Sequence, residues 1–413
     1  MNRKNLFLWS LYDFANSLVY INFILYFSQW LVIDGGLSDF WYNGLFAIAT
    51  VLLFISAPVL ASYADGYGGN KMFLNACTIG TAASYAVAVI AAYAGAHVVA
   101  IALLFLAGQY FYQFSFVFYN AMIVDVAEAR QRTRASGIGY FSNFLGQIVG
   151  LAIMLPLSNS RLAPLIPSVI LFFVLALPMM ILFKEPRTAA FSLSHLVNVR
   201  QETKKFFKKF SLFLSVSTSV PMLAAYFLFN DALITLTNNY GIYLERVFAA
   251  PDAQKSYLLM AVLVMCMIGS GAVAWIGDRF SALAQLKVTL ALSMLVLPLL
   301  AIAPTFAAFA VLTIPTGFLV GALFAISRSY MSSLLSPEDM TYGFSFYTLS
   351  ERFATFFGPL MWGSIIATMG TAPGAYRVAI ASLALFVLAG LLILIFFRRK
   401  NPQGDALRVF TNR

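Results

Sequence analysis

The chain has 413 residues, 61% hydrophobic and only 10% charged, with a net charge of +10 and a mean hydropathy of +0.84. A soluble domain carries roughly 25% charged residues, so an ordinary soluble globule is excluded, and repeated apolar runs of about 20 residues mark a polytopic helical membrane protein. A membrane β-barrel is excluded too, because its strands alternate apolar and polar residues.

Twelve spans are predicted in chain order. The first covers about 6–32 and follows Asn2-Arg3-Lys4. It is too long for a leader, is interrupted by Asp13 and Asn16, and ends without a small-x-small site, so it reads as a retained helix. The next five cover about 41–64, 72–94, 98–125, 135–157 and 164–183. The second six cover about 221–244, 256–277, 285–302, 306–333, 343–369 and 376–397. The breaks carry turn chemistry: Asp34-Gly35-Gly36, Gly66-Tyr67-Gly68-Gly69-Asn70, Ser336-Pro337-Glu338-Asp339 and Gly370-Thr371-Ala372-Pro373-Gly374.

The longest loop, 184–219, divides the chain. The expected organisation is a six-helix bundle over 1–183, a cytoplasmic linker over 184–219, a second six-helix bundle over 220–397 and a basic cytoplasmic tail over 398–413. In the linker, Leu193, Leu196, Val199, Phe206, Phe210 and Phe213 recur at helical spacing, interleaved with Lys204, Lys205, Lys208 and Lys209. That pattern predicts an amphipathic helix on the cytoplasmic leaflet, either a tether or a partner-binding element. Lys and Arg crowd the loops on the side of both termini, whereas Arg161, Arg246, Lys255 and Arg377 fall on the other side. Both termini are therefore expected in the cytoplasm.

The halves echo each other. The second span ends at Asp65 and continues to Lys71, and the eighth ends at Asp278-Arg279. Ala61 and Ala274 precede the two acids at the same spacing, and Tyr12-Asp13 in the first span corresponds to Asn230-Asp231 in the seventh. Paired six-helix halves are the architecture of a major facilitator transporter.

Charge inside such spans is expensive and marks function or pairing. Asp13, Asp125, Asp231, Glu351 and Arg352 fall in the spans or at their edges. Asp13, Asp231, Glu351 and Arg352 are expected to share a layer on the cytoplasmic side of the midplane. Helix neighbours do not face each other, so Glu351 and Arg352 are not expected to pair; one acid neutralises Arg352 and another is free to carry a proton. The competing reading has these charges only lock helices together. Asp13, Asn16, Ser17 and Tyr20 share one helical face. Asn120, Asn230 and Arg328 add polar groups to the fourth, seventh and tenth spans, with helix–helix hydrogen bonding as the alternative for the amides.

Cys77 and Cys266 lie far apart in apolar runs, and His97 and His195 lie outside them, so no metal or disulfide pattern arises. The loop from Asp65 to Lys71 lacks the ending of a phosphate-binding loop. An enzyme, a cofactor and a nucleic-acid partner are not expected.

Tyr12-Asp13-Phe14-Ala15-Asn16-Ser17, Phe118-Tyr119-Asn120-Ala121, Ser136-Gly137-Ile138-Gly139-Tyr140, Ala225-Tyr226-Phe227-Leu228-Phe229-Asn230-Asp231, Ser327-Arg328-Ser329 and Gly358-Pro359 resemble the Atg22-like branch of the major facilitator superfamily. Its best-known members are vacuolar amino-acid effluxers. The Asp65–Lys71 loop resembles the general facilitator loop between helices two and three, with Gly66, Gly69 and Asn70 where basic residues are usual. The resemblance implies a twelve-helix carrier working by alternating access, the compact chain points to a bacterial inner membrane, and a monomer in the lipid bilayer is expected.

The expected function is proton-coupled transport of a small polar or zwitterionic solute: an amino acid, a peptide or a siderophore-like compound. Asp13, Asn16, Tyr20, Asn120, Asn230, Asp231, Arg328, Glu351 and Arg352 are the candidates for substrate or proton. Asp65, Lys71, Asp125, Asp278 and Arg279 are the candidates for gating. A transporter-like receptor or scaffold, and a multidrug or lipid exporter, are the alternatives.

Overall fold

A computed structural model describes residues 3–67, 69–128, 131–185, 208, 211, 219–276, 279–335 and 340–396. The amphipathic helix expected over 193–213 lies outside the described residues apart from Lys208 and Ser211, and so does the basic tail.

The described chain is helical throughout its spans. In the first half, α1 begins at Arg3–Asn22 and runs on through two π-helical stretches, Phe23–Phe27 and Trp30–Asp34. It is followed by α2 Asp39–Tyr67, α3 Asn70–Tyr93, α4 Val98–Ala121, α5 Arg132–Met154 and α6 Leu165–Leu182. The second half contains α7 Val220–Phe248, α8 Asp252–Ile276, α9 Ala282–Ile302, α10 Phe306–Ser333, α11 Met340–Phe353, α12 Phe357–Met369 and α13 Pro373–Phe396. Among the described residues, eleven helical segments are long and apolar enough to cross a membrane. The twelfth crossing is made by α11 and α12 together. Twelve crossings return the chain to the face from which it starts, called here the terminal face; the other is the far face.

Helix ends follow from local chemistry. Thr305 accepts from the Ala308 N–H at 3.2 Å and starts α10. Gly370, at φ +81°, ends α12 in a backbone region that favours glycine. Along the π-helical part of α1, Asn22, Ser28 and Gln29 each donate a side-chain hydrogen bond to the carbonyl four residues back, at 2.9, 2.5 and 2.6 Å, which satisfies these buried polar groups within their own helix.

Packing repeats between the halves. In the first, α1 packs on α5 and α6, while α3 packs on α4 and α6. In the second, α7 packs on α11, α12 and α13, while α9 packs on α10 and α13. The halves meet where α2 packs on α12, α5 on α8, and α4 on α11. This is the major facilitator fold. Large apolar side chains such as Ile55, Ile181 and Val311 are 65%, 66% and 71% exposed, which on a soluble surface would be a liability and here is the lipid contact.

Without a hydrophobic drive between helices in lipid, close association needs small residues. A Cβ added at Gly321 of α10 would lie 1.9 Å from the Cys266 carbonyl oxygen of α8, and one at Gly241 of α7 would lie 2.8 Å from the Leu25 carbonyl oxygen of α1. The second contact joins the halves at the π-helical stretch.

The predicted spans match these helices except at the eleventh. A continuous helix over 343–369 was expected; the structure breaks it at Ala354-Thr355-Phe356, between α11 and α12. The break frees backbone N–H groups in the middle of the membrane, where they must find acceptors.

Candidate functional site

Polar side chains from α1, α4, α5, α7, α10 and α11 meet between the two halves. Asp13 of α1 is 6% exposed. The Asn143 amide of α5 donates to its Oδ1 at 2.9 Å, and the Tyr119 hydroxyl of α4 donates to its Oδ2 at 3.2 Å. Gln147 donates to the Asn143 amide oxygen at 2.7 Å, which turns the Asn143 NH₂ toward Asp13. Trp9 stacks on Tyr119 with centroids 4.4 Å apart and donates from Nε1 to the Tyr119 carbonyl at 3.0 Å. Asp13 is thus gripped by its own half.

Glu351 and Arg352 occupy the last turn of α11. They do pair: Arg352 Nη2 lies 2.9 Å from Glu351 Oε1, with the side chains 17% and 13% exposed. This corrects the expectation from helical geometry. Adjacent residues leave the axis in different directions, but these two side chains are long and converge beyond the helix surface, at its end. In a dry site a guanidinium takes the carboxylate within reach. The Arg352 guanidinium also lies 4.1 Å from the centre of the Phe116 ring. The Tyr140 hydroxyl donates to Glu351 Oε2 at 3.4 Å, and Arg328 of α10 lies 4.3 Å above the Tyr140 ring. Asn230 donates to the Glu351 carbonyl at 3.4 Å. Arg352 and Glu351 are close enough to Asp13 to interact with it electrostatically. Asp13, Asn230, Arg328, Glu351 and Arg352 therefore belong to one cluster.

Asp231 is placed differently. It is 0% exposed, and its Oδ2 accepts from the backbone N–H groups of Phe357 and Gly358 at 2.9 and 2.8 Å. Thr235 lies 3.5 Å from Oδ1. The carboxylate caps α12 across the broken span and answers the N–H groups freed there.

Asn16 donates to Ser115 at 3.3 Å, and Tyr20 reaches across the halves to Asn238 Oδ1 at 3.0 Å. Asn120 is half-buried at the end of α4. Further contacts cross between the halves toward the far face. Tyr42 donates to the Asn238 carbonyl at 2.7 Å, Asn43 and Asn239 exchange amide bonds at 3.0 and 2.8 Å, and Tyr376 donates to Asp39 at 2.9 Å.

At the far face these contacts end in a charge network that sequence reasoning missed. Lys255 is 0% exposed; it bonds Gln29 at 2.5 Å, Asp252 at 2.7 Å and Glu245. Arg161 bonds Asp34 and Glu245 at 2.9 Å each, and Asp252 at 3.3 Å. Glu245 and Asp252, of the second half, are thereby tied to Asp34, Gln29 and Arg161 of the first. The signal was present in sequence: all of these residues stand at or next to the far-face ends of spans. Charges in loops ordinarily read as solvated, and only packing shows that Lys255 is enclosed and that Arg161 and Asp252 are largely covered.

The described gating candidates lie at the terminal face. Lys71 Nζ donates to the Phe183 and Ile181 carbonyls at 2.7 and 3.2 Å. Glu185 accepts from the Asn70 and Lys71 backbone N–H groups at 3.1 and 3.2 Å, capping α3. Burial raises the Glu185 carboxyl above its ordinary range, against the pull of those two N–H groups. Asp125 lies near Glu185 and offers its carbonyl to Asn5 at 3.3 Å. These bonds lie within the first half. Arg279 is exposed, while the Asp65 side chain and Asp278 lie outside the described residues.

Among the described residues, the hydrogen bonds and ion pairs that cross between the halves run from the central cluster to the far face. The arrangement is a polar centre closed on the far side.

The chain is similar to known transporters. The family model described as "Vacuole effluxer Atg22 like" matches residues 125–406. An uncharacterised MFS-type transporter of Bacillus subtilis, YxiO, is 26% identical over 422 residues, covering 94% of this chain and 93% of that protein. The crystal structure of the nucleoside transporter NupG aligns with a TM-score of 0.69 at 15% identity, covering 97% of this chain and 100% of that one. A bacterial homolog of the human lysosomal transporter Spinster, crystallised inward-facing and occupied, aligns with a TM-score of 0.69 at 14% identity, covering 96% and 98%. At those identities the two structures speak for the fold.

Proposed function

The chain belongs to the vacuole effluxer Atg22-like family of the major facilitator superfamily, and on that premise we propose that it moves a small polar or zwitterionic solute by alternating access, coupled to protons. The observation that carries this reading is the central cluster: Asp13, Glu351, Arg352 and Arg328 with Tyr119, Tyr140 and Asn143, enclosed between the halves of an otherwise apolar bundle. Buried charge penalises a wholly apolar cargo, which argues against a lipid or multidrug exporter. An amino acid, a peptide or a siderophore-like compound suits such a centre.

Proton coupling falls to Asp13. Its donors, Asn143 and Tyr119, come from two different helices of the same half, so protonation loosens a link between α1, α4 and α5. The excess of Lys and Arg in loops on the terminal face supports cytoplasmic termini, and a bacterial relative supports a bacterial plasma membrane. The working unit is taken as a monomer.

The test is flux in proteoliposomes carrying an imposed pH gradient, with amino acids and short peptides as solutes. Wild-type protein is expected to accumulate solute along the gradient. Asp13→Asn is expected to lose the gradient-driven component and keep solute exchange. Unchanged gradient-driven flux in that variant removes Asp13 from coupling; absence of flux for every solute favours a transporter-shaped receptor.

A further inference from the structure

Three asparagines of α1 and α7 each have one end of the side-chain amide tied down. Asn16, Asn230 and Asn238 are 1%, 0% and 1% exposed. The Ser115 hydroxyl donates to the Tyr112 carbonyl at 2.7 Å, so it accepts from Asn16 Nδ2 at 3.3 Å. Asn230 Nδ2 faces the Glu351 carbonyl at 3.4 Å, an oxygen that can only accept. Asn238 Oδ1 takes the Tyr20 hydroxyl at 3.0 Å. These bonds fix which way each amide is turned. The opposite ends, Asn16 Oδ1, Asn230 Oδ1 and Asn238 Nδ2, are sealed from solvent and have no hydrogen-bond partner in the protein. Asn43 and Asn239 show the contrast, since their amides exchange bonds at 3.0 and 2.8 Å and satisfy each other.

The three free ends are two acceptors and one donor, all uncharged, and their spacing is set by the helices. Asn230 and Asn238 stand eight residues apart on α7, about 12 Å at 1.5 Å per residue. Both α1 and α7 run from the terminal face toward the far face. Tyr20 of α1 is level with Asn238 through their bond, and Asn16 lies one turn, about 6 Å, toward the terminal face. It therefore falls between the levels of Asn230 and Asn238, on the opposite half. Buried polar groups in native proteins are nearly always paired, so a set left open in this way calls for a partner. A peptide backbone offers N–H donors and C=O acceptors at every residue, at roughly 3.3–3.6 Å per residue when extended. Three or four residues span about 12 Å at that rise, whereas a free amino acid spans one.

We propose that the transported solute is a short peptide, about three or four residues long, whose backbone N–H groups bond the Asn16 and Asn230 amide oxygens and one of whose carbonyls takes the Asn238 amide nitrogen. The inference rests on the transport reading above and selects among the solutes it allows. Held by α1 on one side and α7 on the other, the peptide backbone bridges the two halves. The contacts read backbone rather than side chains, so selection is by length and amide groups, and many sequences of that length are accepted.

The experiment uses the full chain in proteoliposomes with an imposed pH gradient, incubated with a defined mixture of free amino acids and of di-, tri- and tetrapeptides together with a metabolite extract of bacterial cells. Vesicle contents are read by mass spectrometry against protein-free vesicles. Tri- and tetrapeptides are expected to be enriched over free amino acids by about tenfold or more. Replacing the amides of the most enriched peptide by esters removes its N–H donors and is expected to lower its enrichment about ten- to a hundredfold. Asn16→Ala and Asn238→Ala are expected to act in the same direction, once each is shown to melt like the wild type. The ester comparison is made on wild-type protein and so holds even where a variant does not fold. Free amino acids or non-peptide solutes enriched in preference to the peptides, or an ester analogue enriched as well as its peptide, overturns the inference and leaves the transport reading intact. No enrichment of any solute over protein-free vesicles overturns the transport reading and the inference with it.

Discussion

Asp231→Ala is expected to destabilise the protein by roughly 2–5 kcal/mol, because it leaves the Phe357 and Gly358 N–H groups buried without their acceptor. Both bonds are short, 2.9 and 2.8 Å, and the carboxylate is wholly enclosed. The start of a half-length helix in the membrane has no water to turn to. Asp231→Asn keeps one acceptor oxygen and should lose about half as much. Thermal unfolding in detergent reads the difference, and hydrogen exchange at 357–360 locates it. An Asp231→Ala protein that melts like the wild type and protects those amides would show that the cap is not what holds α12. Wild-type melting of Asp231→Asn with loss of pH-driven flux would instead move Asp231 into the coupling site.

Lys255→Met is expected to release the far mouth. Lys255 bonds Glu245, Asp252 and Gln29 from a position with no solvent contact. Removing it leaves two partly exposed acids, Glu245 at 27% and Asp252 at 13%, to share Arg161, a loss below the roughly 3–5 kcal/mol of a broken, fully buried pair. That penalty falls on the conformation in which the far mouth is closed. When the halves part there, the acids regain water. The population therefore shifts toward far-side opening by a factor of about ten or more. A cysteine at position 238, beneath the mouth, should then react faster with a membrane-impermeant thiol reagent from the far side. Glu245→Gln added to Lys255→Met should restore part of the closure, since it removes one uncompensated charge, and the cycle measures the coupling. Equal labelling rates in wild type and Lys255→Met would mean that the network is not a latch.

The spans were legible because they are long and apolar, and because Gly, Pro and Asp mark their ends. The broken eleventh span was not. Pro359 follows the break and a proline is well tolerated in a first helical turn, but Pro178, Pro298 and Pro315 sit inside continuous helices. Proline alone does not say which span is cut. Asp231 is what distinguishes this one, and it lies more than a hundred residues away. In the candidate site, the identity of the buried charges was readable from their cost in lipid. Their partners were not. The rule that adjacent helical residues do not meet holds along a helix interior, and it missed the Glu351–Arg352 pair at a helix end. Asn143 passed as an ordinary helix residue, and Tyr119 and Tyr140 stood out only as members of motifs, until packing set them around Asp13 and Glu351. Lys71 read as a clamp between halves from its place in the loop, whereas its ammonium caps α6 carbonyls within one half.

The central claim is that the two halves rock about the polar cluster, opening one face as they close the other. It is tested most directly by pulsed-EPR distances in lipid between two labelled pairs: Ser38→Cys with Thr371→Cys at the far face, and Met72→Cys with Phe280→Cys at the terminal face. All four positions are exposed, and each pair joins one half to the other. Lowering the pH in the presence of solutes that the protein transports is expected to lengthen the far-face distance and shorten the terminal-face distance in the same sample. Distances that stay fixed at both faces, or that lengthen together, would contradict alternating access.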